Sequence, residues 1–228
     1  MGKISLGTGC FIDVYTGEEF IGDPYRGVNP MLMGVFNGGR LYMAEYFIYH
    51  SGDALEWARG LRDIQYLPLQ DIDFSRLPLF IPSYRFLATG INKVFDGAYL
   101  TRIDTDTEPE ALTLSIYASI PYLILRGLGV MGGLGLDPDL FIDGGWSNDS
   151  LLVRLIASMT GRRLRFRRDR VNTALYGLYA LTVVDEVGEA PTIIDNLNPV
   201  YGEVTPMDLV GLDDYVRGMD SLLESVIE

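Results

Sequence analysis

A hydroxyl side chain between two glycines, in Gly7-Thr8-Gly9, is the feature of this sequence best suited to chemistry. Short apolar runs at residues 4–6 and 10–15 flank it, and turn residues between β-prone runs predict a hairpin. Glycine lets backbone amides approach a ligand because it has no Cβ. A turn of this kind can hold a phosphate through its N–H groups. The same three residues also suit an ordinary hairpin turn, so the motif alone leaves both interpretations open.

Three segments resemble the C-terminal half of the FGGY family of carbohydrate kinases, and the glycerol kinases most of all. Residues 7–11 match the family's Gly-Thr-Gly-Cys-Phe. Residues 141–152 resemble its apolar-Asp-Gly-Gly segment, which is followed by small and polar residues and a helix. Residues 173–181 resemble its Thr-Ala-Leu-Gly-Ala-Ala helix. The segments occur in family order at about the family spacing, so the resemblance covers nearly all of the chain.

The resemblance implies an α/β fold of the RNase H-like type shared by actin and hexokinase, and ATP with Mg²⁺ as the cofactors. It places Thr8 with Gly7 and Gly9 against the ATP phosphates, and the Gly144-Gly145 pair against adenine. Four further residues line the nucleotide site by the same resemblance: Gly52, Glu56, Trp146 and Asp149.

Three departures from the family pattern bear on ATP binding rather than on the fold. Glu56 stands where the family has glutamine, and a carboxylate repels phosphate unless a metal or a basic group intervenes. Trp146 stands where the family usually has alanine or glycine, so its indole could stack on adenine or fill the pocket. Residues 92–97 lack the Trp-Asp and Arg-Gly pattern of the family.

Phosphoryl transfer also needs a carboxylate that orients the attacking hydroxyl and accepts its proton. The resemblance places that aspartate just upstream of the Gly-Thr-Gly turn, in a half of the kinase expected to be missing here. We interpret Asp13, Asp23 and Asp143 as structural. His50, the single histidine, has no obvious acidic partner nearby in the sequence and receives the same interpretation. We therefore predict no catalytic residue and no metal ligands in this chain.

The size and composition predict one globular domain that spans residues 1–228. Hydrophobic residues make up 48 % of the chain and charged residues 21 %, which is ordinary for a folded protein. No apolar run approaches the 18 or so residues that cross a bilayer, and no signal sequence begins the chain. We expect no membrane association and a cytoplasmic location. Cys10 is the only cysteine, so no intramolecular disulfide can form.

The charge distribution has one basic island in an acidic chain. The net charge of −13 argues against nucleic acid as a partner. Six arginines lie between residues 162 and 170, and their alternation with Leu164 and Phe166 predicts a strand with one buried face. The strand is either a solvated sheet edge, where charge resists aggregation, or a docking surface for an acidic partner or a second copy of the chain.

The order of elements supports the RNase H-like prediction, with strands first and a β-α-β-α pattern after them. Strands at 30–36 and 41–49, joined by a turn at 37–39, extend the first hairpin into an antiparallel meander of about four strands. A helix follows Ser51, and another begins at Thr107, the predicted cap, until Pro121 interrupts it. The remaining predictions are strands at 79–81, 98–103, 140–143 and 164–167, and helices at 147–159, 172–184 and 213–226.

These features lead to one functional hypothesis and one alternative. The chain is interpreted as the ATP-binding half of a carbohydrate or polyol kinase that transfers the γ-phosphate to a sugar or glycerol hydroxyl. It is either an excised domain or one subunit of a split enzyme, and the other half supplies the catalytic aspartate and the acceptor site. The alternative is a catalytically inactive module that acts by association. Aromatic residues on the N-terminal strands predict a homodimer or binding to the complementary half: Phe11, Tyr15, Tyr42, Tyr46 and Phe47.

Overall fold

The computed structural model of the chain describes residues 2–36, 38–83, 86–91, 93–167 and 201–227. Within these residues there are nine strands and four α-helices. The strands are β1 Gly2–Leu6, β2 Cys10–Gly17, β3 Asn29–Phe36, β4 Gly39–Ile48, β5 Leu79–Ile81, β6 Tyr99–Thr101, β7 Asp139–Asp143, β8 Arg163–Arg167 and β9 Tyr201–Val204. The helices are α1 Gly52–Leu61, α2 Pro109–Met131, α3 Ser150–Thr160 and α4 Leu212–Ile227.

Seven strands form one mixed sheet in the order β3-β4-β2-β1-β7-β8-β9, and β5 pairs with β6 in a separate two-stranded sheet. The predicted hairpin is confirmed, because β1 and β2 pair antiparallel around residues 7–9. Alternate residues of β1 are buried, and Ile4 faces Ile12 across the hairpin. Because side chains alternate in direction along a strand, one side of both strands faces the helices that cover the sheet.

The first four strands are antiparallel, but their order in space is not their order in the chain. β4 lies between β2 and β3, so the chain passes from β2 to the sheet edge before it returns. The burial of side chains explains this order. β4 buries Ala44, Tyr46 and Ile48 in the core. The edge strand β3 leaves the side chains of Met31, Leu32, Met33 and Val35 exposed.

The basic strand β8 is not the sheet edge, so that prediction was wrong. β8 runs parallel to β7 and antiparallel to β9, a strand that the sequence did not predict. Arg165 pairs with Asp139 on β7 at 2.8 Å and with Glu203 on β9 at 3.4 Å. Acidic residues of the two neighbouring strands therefore balance part of the basic island within the sheet itself.

The long helix α2 packs on the sheet and against α1 and α3, and most of its residues are buried. Its length and its mean hydropathy of 1.4 would suffice to cross a membrane, but 78 % of the apolar window is buried inside the protein. Packing in the core accounts for this hydropathy, and polar residues such as Thr113, Ser115 and Ser119 interrupt the apolar sequence of the helix. The predicted interruption was also wrong, because the helix continues through Pro121.

The start of α2 differs from the predicted cap by one residue. Glu108 is the N-cap, and it makes no side-chain capping bond. The Thr107 hydroxyl instead donates to the Asp104 carboxylate at 2.9 Å, in the turn that precedes the helix. The predicted helix at 213–226 is confirmed as α4. The predicted helix at 172–184 lies outside the described residues.

Candidate functional site

Three segments meet at one edge of the large sheet: the hairpin tip at residues 7–9, the start of α1, and the loop that follows β7. They meet because β1 and β7 are parallel neighbours, with Ser5 beside Asp143, so both strands end at this edge. The Thr8 carbonyl accepts hydrogen bonds from the amides of Ser51 at 3.2 Å and Gly52 at 2.8 Å. The structure thus brings the glycines and Thr8, which the sequence singled out, into one region.

Three of the predicted site glycines are required by the fold itself. A Cβ on Gly144 would lie 2.2 Å from the Leu6 carbonyl oxygen, and Gly144 has a φ of +91°. A Cβ on Gly52 would lie 2.2 Å from the Gly7 carbonyl oxygen, and one on Gly9 would lie 2.4 Å from the Phe47 ring. Close backbone packing therefore explains Gly52 and Gly144 without a ligand, and close packing of the Phe47 side chain explains Gly9.

The other two glycines and the threonine face open space. A Cβ on Gly145 would have no neighbour within 4 Å, and one on Gly7 would touch only the Gly9 carbonyl oxygen, at 3.6 Å. The Thr8 side chain is exposed, and no hydrogen bond engages its hydroxyl among the described residues. An anion can therefore reach the Thr8 hydroxyl and the backbone at Gly145 without displacing protein atoms, whereas the Gly7 amide already donates to the Gly9 carbonyl at 2.9 Å.

One face of α1 borders the site, and a side chain from the loop already covers it. Gly52, Glu56 and Arg59 share this face, because positions separated by four and three residues are neighbours on a helix. The Arg59 guanidinium lies over the Trp146 ring, 4.1 Å from the ring centroid. At the other end of the face, a Cβ on Gly52 would lie 2.9 Å from Trp146 Nε1. The indole thus lies against Gly52 and the Arg59 side chain, while Glu56 between them is exposed.

Asp149 is a buried anchor of the loop, only 4 % exposed. Its Oδ1 accepts from the Leu152 amide at 3.0 Å and caps α3, a capping contact that favours the helix start. Its Oδ2 accepts from Arg59 Nη2 at 2.9 Å and from the Tyr117 hydroxyl at 3.3 Å. The resemblance gave Asp149 a role in nucleotide binding, whereas in the structure both its oxygens hold protein groups.

The neighbours of Asp149 show the electrostatics of this anchor. Burial, followed by the charge of Asp149, raises the pKa of Tyr117 to about 12. Burial acts to lower the pKa of Arg59, but its bonds to Tyr117 and Asp149 outweigh burial and raise it. Sequence reasoning missed Arg59 and Tyr117. The seven-residue spacing from Gly52 places Arg59 on the same face of α1, and this spacing could have indicated it. Its contact with Trp146 could not have been found in this way, because the two residues are far apart in the sequence.

The aspartates considered as catalytic substitutes all make structural contacts. Lys3 lies between Asp13 and Asp143, at 3.5 Å and 3.6 Å, and the Ser5 hydroxyl donates to Asp143. Asp23 closes a turn, where its Oδ1 accepts from the Arg26 amide at 3.2 Å. Burial raises the pKa of Asp13, and Lys3 opposes that shift only partly.

The interpretation of His50 as lacking an acidic partner was wrong. Its Nδ1 lies 2.7 Å from Asp53 Oδ2, in the first turn of α1. Across the part of the chain that the structure describes, no group of three or more histidine, cysteine or acidic side chains could hold a metal ion.

The aromatic residues expected on an interface have different environments. Phe11 and Phe47 stack on each other with centroids 4.4 Å apart. Tyr46 is buried in the core, whereas Tyr15 is 46 % exposed. Part of the predicted interface therefore belongs to the interior of the protein. The homodimer and the complementary half stay predictions.

Comparisons with known proteins agree on one family. The family model described as the C-terminal domain of the FGGY family of carbohydrate kinases matches residues 2–185. A glycerol kinase of Mycoplasma capricolum is 22 % identical over 225 residues, which are 95 % of this chain and 44 % of that protein. The chain thus spans less than half the length of this curated relative.

Solved structures show the same fold. A xylulose kinase of Brucella ovis superposes with a TM-score of 0.81 and 17 % identity, over 99 % of this chain and 48 % of that one. A Plasmodium falciparum glycerol kinase solved with ADP gives a TM-score of 0.76 and 17 % identity, over 99 % and 46 %. These likenesses confirm the predicted α/β fold of the actin and hexokinase type.

Proposed function

The chain belongs to the FGGY family of carbohydrate kinases through that family's C-terminal domain, and from this premise we propose that it is the ATP-binding half of such a kinase. The complete reaction transfers the γ-phosphate of ATP to a hydroxyl of a sugar or of glycerol. The acceptor site and the aspartate that activates the hydroxyl belong to the N-terminal half, joined to this half or supplied by another chain.

The observation that carries this proposal is the open turn at Gly7 and Thr8. In a chain that packs its other site glycines tightly, these two residues and Gly145 leave room for a ligand. The Thr8 hydroxyl can donate to a phosphate oxygen without adding a charge. The loop at Gly145 lies at the same sheet edge, where ligands of open α/β sheets generally bind.

These residues fit the phosphate end of ATP better than its base end. Gly7 and Thr8 would hold the phosphates, and Gly145 would lie beside the nucleoside. Mg²⁺, when bound, neutralises charge on the transferring phosphate. Because the described residues contain no cluster of three candidate ligands, we expect the phosphates and the other half of the kinase to hold the ion.

Calorimetry with ATP and Mg²⁺ tests the role of Thr8. We expect Thr8→Ala to weaken ATP binding by roughly tenfold to a hundredfold, the effect of one lost hydrogen bond to a charged group, and Thr8→Ser to retain most of the affinity. Thr16→Ala is the matched control, because that hydroxyl lies at the far end of β2 and donates to the Glu19 carbonyl. Equal affinity of the wild type and Thr8→Ala would contradict the proposal.

One observation favours the alternative, a module that kept the fold and acts by association. The indole of Trp146 lies against Gly52 and under the Arg59 guanidinium, so it occupies space between α1 and the loop at Gly145 where we propose that the nucleoside lies. A neighbouring reading frame that encodes an N-terminal kinase half with its aspartate would support the kinase. Absence of both that frame and ATP binding would support the module.

A further inference from the structure

The position of Trp146 relative to α1 affects whether a nucleotide base can enter the proposed site. Gly52, Glu56 and Arg59 occupy one face of the helix, and the indole contacts the first and the last of them. The Arg59 side chain reaches back along the helix to the ring, and Glu56 between the two contacts stays exposed. A base that approached Gly52 from the side of the loop would therefore meet the indole first.

Two groups leave no room for a side chain at Gly52. A carbon placed there would lie 2.2 Å from the Gly7 carbonyl oxygen and 2.9 Å from Trp146 Nε1. The backbone oxygen is fixed by the hairpin, whereas the indole is a side chain that can change rotamer. The indole is therefore the only one of the two groups that a ligand can displace without rebuilding the fold.

Arg59 holds the indole in this position. Its guanidinium lies 4.1 Å from the ring centroid, a cation–π contact. The guanidinium itself is fixed by Asp149 Oδ2 at 2.9 Å and by the Tyr117 hydroxyl at 3.2 Å. The Asp149 side chain is wholly buried, so the carboxylate that fixes the guanidinium belongs to the interior, whereas the Arg59 side chain itself is 40 % exposed.

We propose that Trp146 is a plug over the base end of the nucleotide site and that Arg59 is the positioning residue that keeps it closed. This inference rests on the proposed function and adds the regulation of its site. The closed site accepts phosphate groups at Thr8, which the indole does not cover. ATP binds with its base only after the indole turns away and the Arg59 contact is lost.

Calorimetry of the 228-residue chain with two ligands, ATP and inorganic tripolyphosphate, each with Mg²⁺, tests the plug. Trp146→Ala should bind ATP roughly tenfold more tightly than the wild type, the equivalent of one cation–π contact, with tripolyphosphate affinity unchanged. Trp57→Ala is the control, because this second tryptophan lies on a different face of α1, 52 % exposed and near Phe80. It should change neither affinity.

A fluorescence measurement gives an independent readout if Trp146→Ala folds poorly. In the Trp57→Phe variant, Trp146 is the only tryptophan. ATP should shift its emission as the indole leaves Arg59, and tripolyphosphate should not. Arg59→Lys in this background keeps a charge for Asp149 but weakens the stacking, so it should also bind ATP more tightly.

The outcomes separate this inference from the proposed function. Unchanged or weaker ATP binding by Trp146→Ala, with Thr8→Ala still reducing the affinity for both ligands, would overturn the plug and leave the nucleotide site intact. Weaker binding in particular would show that the indole stacks on the base instead of excluding it. Failure of every variant to bind either ligand would overturn the nucleotide site, and the plug with it.

Discussion

At the hairpin tip, Gly7 and Thr8 border open space. At the loop after β7, in contrast, the side chains of Trp146 and Asp149 pack against other protein groups. Both regions depend on β1, which pairs with β2 on one side and with β7 on the other. The backbone next to β1 is thus exposed at the hairpin tip and closely packed at the loop after β7. The proposed phosphate end keeps the residues of the family motif, whereas two of the three departures from that motif, Glu56 and Trp146, lie on α1 and on the loop after β7.

The largest difference in stability should be found between alanine substitutions at two adjacent glycines of the loop, Gly144 and Gly145. Gly144→Ala should destabilise the protein by about 3 kcal/mol or more, because its backbone conformation is essentially restricted to glycine and the new carbon would meet the Leu6 carbonyl. Gly145→Ala has free space and should change the stability by less than about 0.5 kcal/mol. Urea unfolding measures both.

Alanine substitution of Gly145 also tests the proposed ATP site. Because Gly145 lies beside the proposed nucleoside position, Gly145→Ala should reduce ATP affinity while the fold stays intact. If both substitutions were equally harmless to stability, the tight packing of the loop against β1 would be wrong. If Gly145→Ala left ATP binding unchanged, the base would not lie at this loop.

A smaller loss should follow from removal of the buried anchor. Asp149→Ala deletes the α3 cap and leaves Arg59 without its carboxylate, so it should cost about 2 to 3 kcal/mol. Ser150→Ala, at the exposed next position, should cost much less. Thermal unfolding of both variants gives the comparison, and a double substitution with Arg59→Ala should be less destabilising than the sum of the two single ones.

The smallest effect should be a pH trend in the sheet beneath both regions. Asp13 is 9 % exposed, and burial raises its pKa despite Lys3, while Asp143 and Glu45 are nearby acidic groups. A raised pKa means that the folded state prefers the protonated carboxyl. Its favourable contribution is complete below the unfolded pKa of 3.8 and is lost as the pH rises through the folded value.

Asp13→Asn removes this ionisation and should therefore gain stability over the wild type as the pH is raised from 4 to 7. Melting temperatures at several pH values measure the difference, with Asp71→Asn as a control at an exposed position. A difference that stays constant with pH would show that the Asp13 carboxyl does not titrate differently in the folded and unfolded states.

Local patterns in the sequence predicted most of the elements that build the site. The alternation in β1 and β2, the glycines at the hairpin tip and the amphipathic α4 follow from neighbouring residues, and the structure contains all of them. The strand order of β3 and β4 depends on how much each strand buries in the whole sheet. The core position of α2 likewise outweighs the local effect of Pro121.

The candidate site was predictable only where the backbone motif decides it. Residues 7–9, Gly52 and 144–145 converge as the motif implied, because parallel β1 and β7 end side by side. The contact of Arg59 with Trp146 joins positions 87 residues apart in the sequence, and no local signal reports it. Likewise, Asp149 could not be recognised as an interior anchor before its partners on α1 and α2 were known.

Cys10 follows the hairpin tip directly, and its thiol is wholly buried at the start of β2. Burial, with a smaller contribution from Asp13, raises the pKa of this thiol above its ordinary range, so the folded chain presents no reactive thiolate. Alkylation can then proceed only through molecules in which the hairpin has opened. The rate of alkylation of Cys10 under native conditions therefore reports how often the hairpin opens. A ligand bound at Thr8 would lower this rate in proportion to the fraction of molecules that carry it.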